Sequence, residues 1–343
     1  MPFVKQQDGI HITELKSIRK EASSIVLLIG DIHFRDRPPS SCTESYLDDL
    51  LDMLEYTSKI ANLLKADVVL AGDVFDQKLP SRTSHSTILR ILSVLKKFDR
   101  IPYGVVGNHD ISSDVHSSTY EKQPLGVLFE SGWLEELNGW AGDIPVFGVP
   151  WQQRWQHEDA PWEALEGWRS GVHDRDLSKS LVVTHAPIYP LGQELEFEFV
   201  PTAGEHGLSK AMDHTGYLYY GHIHEPHSIF EVEGTTYANF GALSRGSLTE
   251  ANINRKVQIG LWTPEHGFKP LDIPHKPAAE VFRMTEVQAK RDEKLSLDSF
   301  LSQVGSSTLE ISSSAAFKQH IQELDHIDLP VRTRAIDYIE EAE

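Results

Sequence analysis

The sequence predicts an α/β fold, a four-layer sandwich of two mixed β-sheets that face one another and are flanked by helices. Three observations predict it. Between Ile25 and Val106 short apolar runs alternate with longer amphipathic ones, the pattern of right-handed strand–helix–strand crossovers and a mainly parallel sheet. Between Val146 and Trp262 the apolar runs are short and joined by turns such as Glu233-Gly234, which suits an antiparallel or mixed second sheet. Polar clusters rich in Asp, Asn and His follow strand after strand, at the edge where such folds bind ligands.

The elements follow in order. Residues 1–24 read as an N-terminal extension with a short strand at Ile10–Leu15. Ile25–Ile29 is a buried-type strand ending at Gly30-Asp31. Leu47, Leu50, Leu51, Leu54, Ala61 and Leu64 recur at helical spacing and predict an amphipathic helix over Tyr46–Leu64. Val68–Ala71 is the next strand. Ser84–Phe98 is a second helix, with Ile88, Ile91, Leu92, Leu95 and Phe98 on one face, and Pro102–Val106 is a strand. Val146–Val149 and Leu181–Thr184 are strands separated by a Trp- and Gln-rich surface helix and loop, Trp151–Trp168. Tyr217–Tyr220, Ser228–Val232, Thr235–Phe240 and Lys256–Trp262 complete the second sheet. Beyond Val281 the chain is charged and helical in pattern, with stripes at Phe317, Ile321, Leu324 and at Val331, Ala335, Ile336, Ile339. The expected organisation is an extension (1–24), a catalytic domain (25–248), a few accessory strands (249–282) and a helical tail (283–343).

Composition bounds the function. The 343 residues carry a net charge of −19, which argues against a broad basic face gripping nucleic acid, although bound cations would offset carboxylates at a site. The single cysteine, Cys42, rules out an internal disulfide. No run approaches the length of about 18 apolar residues that a membrane span needs, and Met1–Lys20 lacks the apolar centre of a secretory signal. A cytoplasmic protein with no membrane attachment is expected.

Five short motifs carry the chemistry: Asp31-Ile32-His33, Gly72-Asp73-Val74-Phe75-Asp76, Gly107-Asn108-His109-Asp110, Thr184-His185 and Gly221-His222-Ile223-His224. Each follows a strand-like run. Two divalent cations about 3.5–4 Å apart can clamp a phosphoryl group and supply a hydroxide nucleophile near neutral pH. Such a pair needs one anionic ligand to bridge the ions and several neutral ones. Imidazole, carboxylate and amide oxygen together suit manganese, iron or zinc better than calcium; manganese is expected, with magnesium an alternative. Asp31 and His33 stand two apart, so in extended chain both face one ion. Asp73 is the expected bridge. Asn108 offers a neutral oxygen. His109, next to it, faces the substrate and donates a proton to the leaving oxygen, with Asp110 expected to hold its ring in one tautomer. Asp76 reads either as orienting a ligand or as capping the next helix. His185 ends a strand, and His222 and His224 are spaced to serve the two ions separately.

The ordered set resembles the calcineurin-like metallophosphoesterase superfamily over about Ile25–Phe240. The resemblance implies that Asp31, His33, Asp73 and His224 hold one ion, that Asp73, Asn108, His185 and His222 hold the other, and that His109 is the proton donor with Asp110 its partner. Within the superfamily, Gly-Asp-Val-Phe-Asp, Gly-Asn-His-Asp and Gly-His-Ile-His-Glu-Pro followed by Asn239-Phe240-Gly241-Ala242-Leu243-Ser244-Arg245-Gly246 are most similar to SbcD-type, meiotic-recombination-eleven-like DNA-repair exonucleases. That implies a DNA exo- or endonuclease, with an SbcC-like ATPase partner docking on the tail and a homodimer as an expected assembly. Many archaeal and eukaryotic members carry His where this chain has Asp76, so no second substrate-facing His is expected. The thin segment after Thr249 and the acidic charge suit a different reading, a phosphoesterase for small molecules or phosphoproteins. A partner-dependent, non-catalytic subunit is a third, opposed by the full ligand set.

Overall fold

The computed structural model describes residues 12–111, 122–152, 168, 176–190, 212 and 215–285, with scattered positions between 318 and 336. The chain forms two compact units, 1–282 and 283–343. In the second, the described positions between 318 and 336 are helical.

Among the described residues twelve strands build the first unit: β1 (Val26–Ile29), β2 (Asp67–Leu70), β3 (Tyr103–Gly104), β4 (Glu135–Glu136), β5 (Gly139–Trp140), β6 (Val146–Val149), β7 (Leu181–His185), β8 (Tyr217–Gly221), β9 (His227–Val232), β10 (Thr235–Asn239), β11 (Gln258–Thr263) and β12 (Gly267–Asp272). One sheet has the order β12-β11-β1-β2-β3-β4 and the other β5-β6-β7-β8-β10-β9. In the first, β1 to β4 run parallel. In the second, β6, β7, β8 and β10 run parallel, with β5 and β9 antiparallel at the edges. Both sheets are therefore mixed, as expected.

Side-chain alternation divides each strand between two cores. Val26 and Leu28 of β1, Val69 of β2, Leu181 and Val183 of β7, Tyr219 of β8 and Trp262 of β11 belong to one buried cluster, which lies between the sheets. Leu27, Ile29, Val68 and Leu70 point the other way, into a larger cluster with the helices. Three of these helices are α1 (Ile12–Glu21), α2 (Tyr46–Leu64) and α3 (His85–Leu95). The expected stripes are the buried ones: Leu50, Leu54 and Leu64 on α2, Ile91 and Leu95 on α3. A left-handed Lys65 ends α2, and the Ser84 side chain caps α3 by accepting from the Thr87 N–H. A further short helix, α4 (Pro124–Glu130), precedes β4.

Three expectations change. The strand read at Ile10–Leu15 is helical from Ile12; Leu15, Ile18 and Ala22 at helical spacing pack on the core. The run read as Lys256–Trp262 does not join the second sheet. As β11 it pairs antiparallel with β1, Val26 opposite Trp262, and fills the free edge that the parallel strands leave. With β12 beside it, the strands within 249–282 belong to the main sheet. The surface helix expected in Trp151–Trp168 lies mostly outside the described residues, although Trp168 itself is buried against Trp140 and Phe147.

Candidate metal centre

The parallel strands end together, so their C-terminal residues collect at one edge. Ile29 pairs with Leu70, Leu70 with Gly104, and His185 with Gly221. Asp31, Gly72 and Gly107 open their motifs two or three residues further on, while Thr184-His185 and Gly221 are themselves the ends of β7 and β8. The two sheets are joined at this edge by His185, whose Nδ1 lies 2.8 Å from the carbonyl of Ala71. A carbonyl only accepts, so Nδ1 carries the proton and donates it. Nε2 then faces inward, 3.3 Å from Asp73 Oδ2 and 3.0 Å from Asn108 Oδ1.

Close approach explains two of the glycines. A Cβ on Gly72 would collide with the His185 ring, and one on Gly107 with the Asp73 backbone and carboxylate. The local backbone is also bent. Six non-glycine residues among those described have left-handed φ; four are Asp31 (34°), His33 (53°), Asp73 (47°) and His222 (81°). Each such residue costs on the order of 1–3 kcal/mol, and such residues gather at functional sites. Here the bends aim side chains of both sheets at one point.

Around that point the donor atoms fall into overlapping groups. Asp31, His33 and His224 present ligand atoms all within 4.8 Å of one another, as do His33, Asp73 and His109, and Asp73, His185 and His222. His33 Nε2 and His224 Nε2 are 2.9 Å apart, and His224 Nε2 is 3.8 Å from Asp31 Oδ1. His222 Nδ1 is 3.0 Å from Asn108 Oδ1. Asp73 lies between the two sets. Its Oδ1 accepts the His109 N–H at 2.8 Å, and its Oδ2 stands 3.7 Å from His33 Nε2 and 3.3 Å from His185 Nε2. The seven side chains expected as ligands are thus brought together. Ligand atoms about 2.0–2.1 Å from one ion and at right angles to each other lie about 3 Å apart, the spacing seen for His33 with His224 and for Asn108 with both His185 and His222. The donor set fits two divalent cations sharing the Asp73 carboxylate.

Electrostatics agree. Burial alone would push the Asp73 carboxyl up, but the His185 charge and hydrogen bond, with His33 and His109, hold it well below the usual carboxylate range. Burial opposes charge on His185, yet Asp73 and Asp31 outweigh it and raise the group to about 9. This negative field is what would attract cations. Burial lowers His33 to about 4 and His222 to about 3, so both are neutral imidazoles at neutral pH, the form that binds metal.

The two residues expected as a catalytic pair point apart. His109 stands at the surface beside His33, with ring centroids 5.1 Å apart. Asp110 does not touch its ring. It is 1% exposed and accepts the N–H groups of Val74, Phe75 and Gly107 at 3.3, 3.0 and 3.0 Å. Burial and the neighbouring Asp73 push it up to about 7 against the Phe75 and Gly107 bonds. Adjacent residues in a turn diverge, and Asp110 takes the inward direction. The His109 ring is held by Asp76, whose carbonyl accepts from Nδ1 at 2.8 Å.

Residues 25–226 match the sequence profile of the calcineurin-like phosphoesterases. The chain belongs to that family. One relative of this phosphoesterase is the DNA double-strand break repair protein Mre11 of Archaeoglobus fulgidus, 25% identical over 203 residues, which are 54% of this chain and 42% of the relative. The chain therefore spans less than half the length of that relative. Among solved structures, TT1561 of Thermus thermophilus is 14% identical, with 73% of this chain and 98% of that one covered and a TM-score of 0.45. A metallophosphoesterase from Sphaerobacter thermophilus is 14% identical, with 79% and 94% covered and a TM-score of 0.37. A 5'-nucleotidase precursor from Thermus thermophilus is 12% identical, with 73% and 55% covered and a TM-score of 0.39.

Four residues of this phosphoesterase site stand outside the five motifs, two of them, Asn239 and Ser244, in the Asn239–Gly246 run. Trp151 packs on the His222 and His185 rings, 4.9 and 6.0 Å between centroids. It lies two residues past β6, so the strand-end rule that found the motifs also marks its position. Asn239 donates to the carbonyls of Tyr220 and Ile223, bracketing the His222 loop. Ser244 donates its N–H and its hydroxyl to the Asp31 carbonyl. Arg255 in turn holds the carbonyls of Ala242 and Ser244.

Proposed function

We propose that the chain is a metal-dependent DNA nuclease that cleaves phosphodiester bonds as an exo- or endonuclease. The observation that carries this is the joining of the phosphoesterase donor set to sequence similarity with a DNA double-strand break repair protein. Asp31, His33, Asp73 and His224 would hold one cation, and Asp73, Asn108, His185 and His222 the other, with manganese the expected metal. Cations held there would polarise a phosphoryl oxygen and make a water acidic enough to serve as nucleophile. The chain's own contribution is position and proton transfer. Asp73 Oδ2 sets the spacing between the two donor groups. His109 Nδ1–H is anchored on the Asp76 carbonyl, so Nε2 is the atom that gives a proton to the departing oxygen. Trp151 walls off the His185–His222 side from water.

An ATPase partner docking on residues 283–343, a homodimer and a cytoplasmic location belong to the same proposal. No described helix is long and apolar enough to cross a membrane. The net charge of −19 favours a second reading, a phosphoesterase for small molecules or phosphoproteins. Purified protein with manganese and single- or double-stranded DNA separates the two. Release of nucleotides or fragments supports the nuclease. Clean turnover of bis(p-nitrophenyl) phosphate with intact DNA at every metal concentration overturns it.

A further inference from the structure

The chain is strongly acidic, yet one rim of the site is not. Two segments run side by side there. Phe34 bridges Phe75 in parallel, with the Phe34 N–H donated to the Val74 carbonyl at 2.9 Å and the Asp76 N–H to the Phe34 carbonyl at 3.1 Å. This pairing runs the segment that carries Arg35 and Arg37 alongside the one that carries Gln77 and Lys78 and leads to Arg82. The carboxylates within these segments are both engaged. Asp36 accepts the Ser84 N–H and hydroxyl at 2.7 and 3.2 Å. Asp76 accepts Arg35 Nη1 at 2.9 Å and Gln77 Nε2 at 2.8 Å on the same oxygen. Arg82 Nη1 donates to Gln77 Oε1 at 3.0 Å, extending the chain outward. Arg37, Lys78 and Arg82 are exposed, and Arg35 is partly so.

Arg35 is the fixed member of this group. Its Nε donates to the Arg37 carbonyl at 2.6 Å and its Nη1 to Asp76. A guanidinium has five N–H donors in a rigid fork, so the two anchors orient it while its other donors stay available. The anchoring residue is the one whose carbonyl holds His109 and whose second oxygen lies 3.6 Å from His33 Nδ1. The guanidinium is therefore one side chain away from both the expected proton donor and a candidate ligand. A polynucleotide carries a phosphate next to the scissile one, which a donor bordering the site can meet. A substrate with a single phosphate has nothing to place there. Leu79, 48% exposed among these cations, adds the apolar surface a base can cover.

We propose that Arg35, oriented by Asp76, is a contact for the phosphate flanking the cleaved bond, and that the Arg35–Arg37–Lys78–Arg82 rim selects a nucleic-acid strand over a single-phosphate ester. This rests on the nuclease reading and names the residues that would enforce it. The test uses the full chain in EDTA, so that binding is read without cleavage, with a short fluorescein-labelled oligothymidylate followed by anisotropy across a salt series. Replacing Arg35 with Gln should weaken binding about ten-fold and flatten the slope of log K against log salt by about 0.7, the value for one phosphate contact on a single strand. R35K should keep the slope, because it keeps the charge, and thermal melting should show both variants folded. Equal affinity and slope for wild type and R35Q, or no binding by wild type, overturns the proposal. Failure of the nuclease reading looks different: wild type binds the strand, R35Q binds it less well, and added manganese leaves the strand intact.

Discussion

His109 turns its Nδ1 to the main-chain carbonyl of Asp76, 2.8 Å away, and not to the carboxylate of its neighbour Asp110. The proton on Nδ1 is thereby fixed and Nε2 is the exchangeable position. A main-chain carbonyl cannot be removed by substitution, so the side chain of Asp110 is expected to be dispensable for proton transfer while the ring of His109 is not. His109→Ala should lower kcat on a phosphodiester by about 10²–10⁴-fold, the usual contribution of a positioned acid. Manganese content, measured by elemental analysis, should stay near that of the wild type. Unchanged turnover would refute the assigned role.

Asp110 carries a structural load. Its carboxylate satisfies the N–H groups of Val74, Phe75 and Gly107, all buried. Each orphaned buried donor costs about 1–3 kcal/mol. Asp110→Ala should therefore lower the urea midpoint by more than any surface substitution does, with a loss of about 3 kcal/mol or more. A variant as stable as the wild type would show that water or another acceptor serves these groups equally well.

The buried pair Arg245–Asp49 offers a second stability test. Arg245 Nη2 is 3.0 Å from Asp49 Oδ2 and donates also to the Lys276 carbonyl, while Asp49 Oδ1 accepts the Lys276 N–H. The pair ties the segment after Ser244 to α2 and to residue 276. Removing one partner of a buried pair strands the other charge, at about 3–5 kcal/mol. R245A should lose stability on that scale in urea melts. A loss under about 1 kcal/mol, the range of exposed pairs, would mean that Asp49 is hydrated.

His227 gives the pH dependence. Burial lowers its pKa to about 4, and its Nδ1 is 2.5 Å from the Tyr220 hydroxyl. In the unfolded chain the group titrates at roughly 6.5, the ordinary histidine value. Between these values the unfolded state binds the extra proton, so stability rises with pH. The contribution is complete above the unfolded value and is lost as pH falls from there toward the folded one. Urea midpoints at about pH 7.5 and 5.5 should differ more for wild type than for His227→Gln. Equal differences would place His227 in solvent.

Much of this is legible in the sequence, for a physical reason. Parallel strands bring their C-terminal ends to one edge, so a polar motif after each strand becomes a site without further information. Asp31, Asp73, Asn108, His185 and His222 are located in that way. Pairing between distant segments is not written locally: nothing in Gln258–Thr263 says that it lies on β1 and not beside β10. Side-chain direction within a turn is equally silent, which is why the main-chain carbonyl of Asp76, and not the carboxylate of Asp110, holds the His109 ring. The helix at Ile12–Glu21 reads as a strand because Ile10, Ile12 and Leu15 suit one until Ile18 and Ala22 are counted.

The proposed metal centre depends above all on the Asp73 carboxylate being shared by two cations. Anomalous diffraction from a crystal soaked in manganese reads this out. Two peaks about 3.5–4 Å apart are expected, one beside His33 and His224, the other beside His185, His222 and Asn108, with the Asp73 carboxylate between them. A single peak, or two peaks with Asp73 turned away from either, would contradict the shared carboxylate.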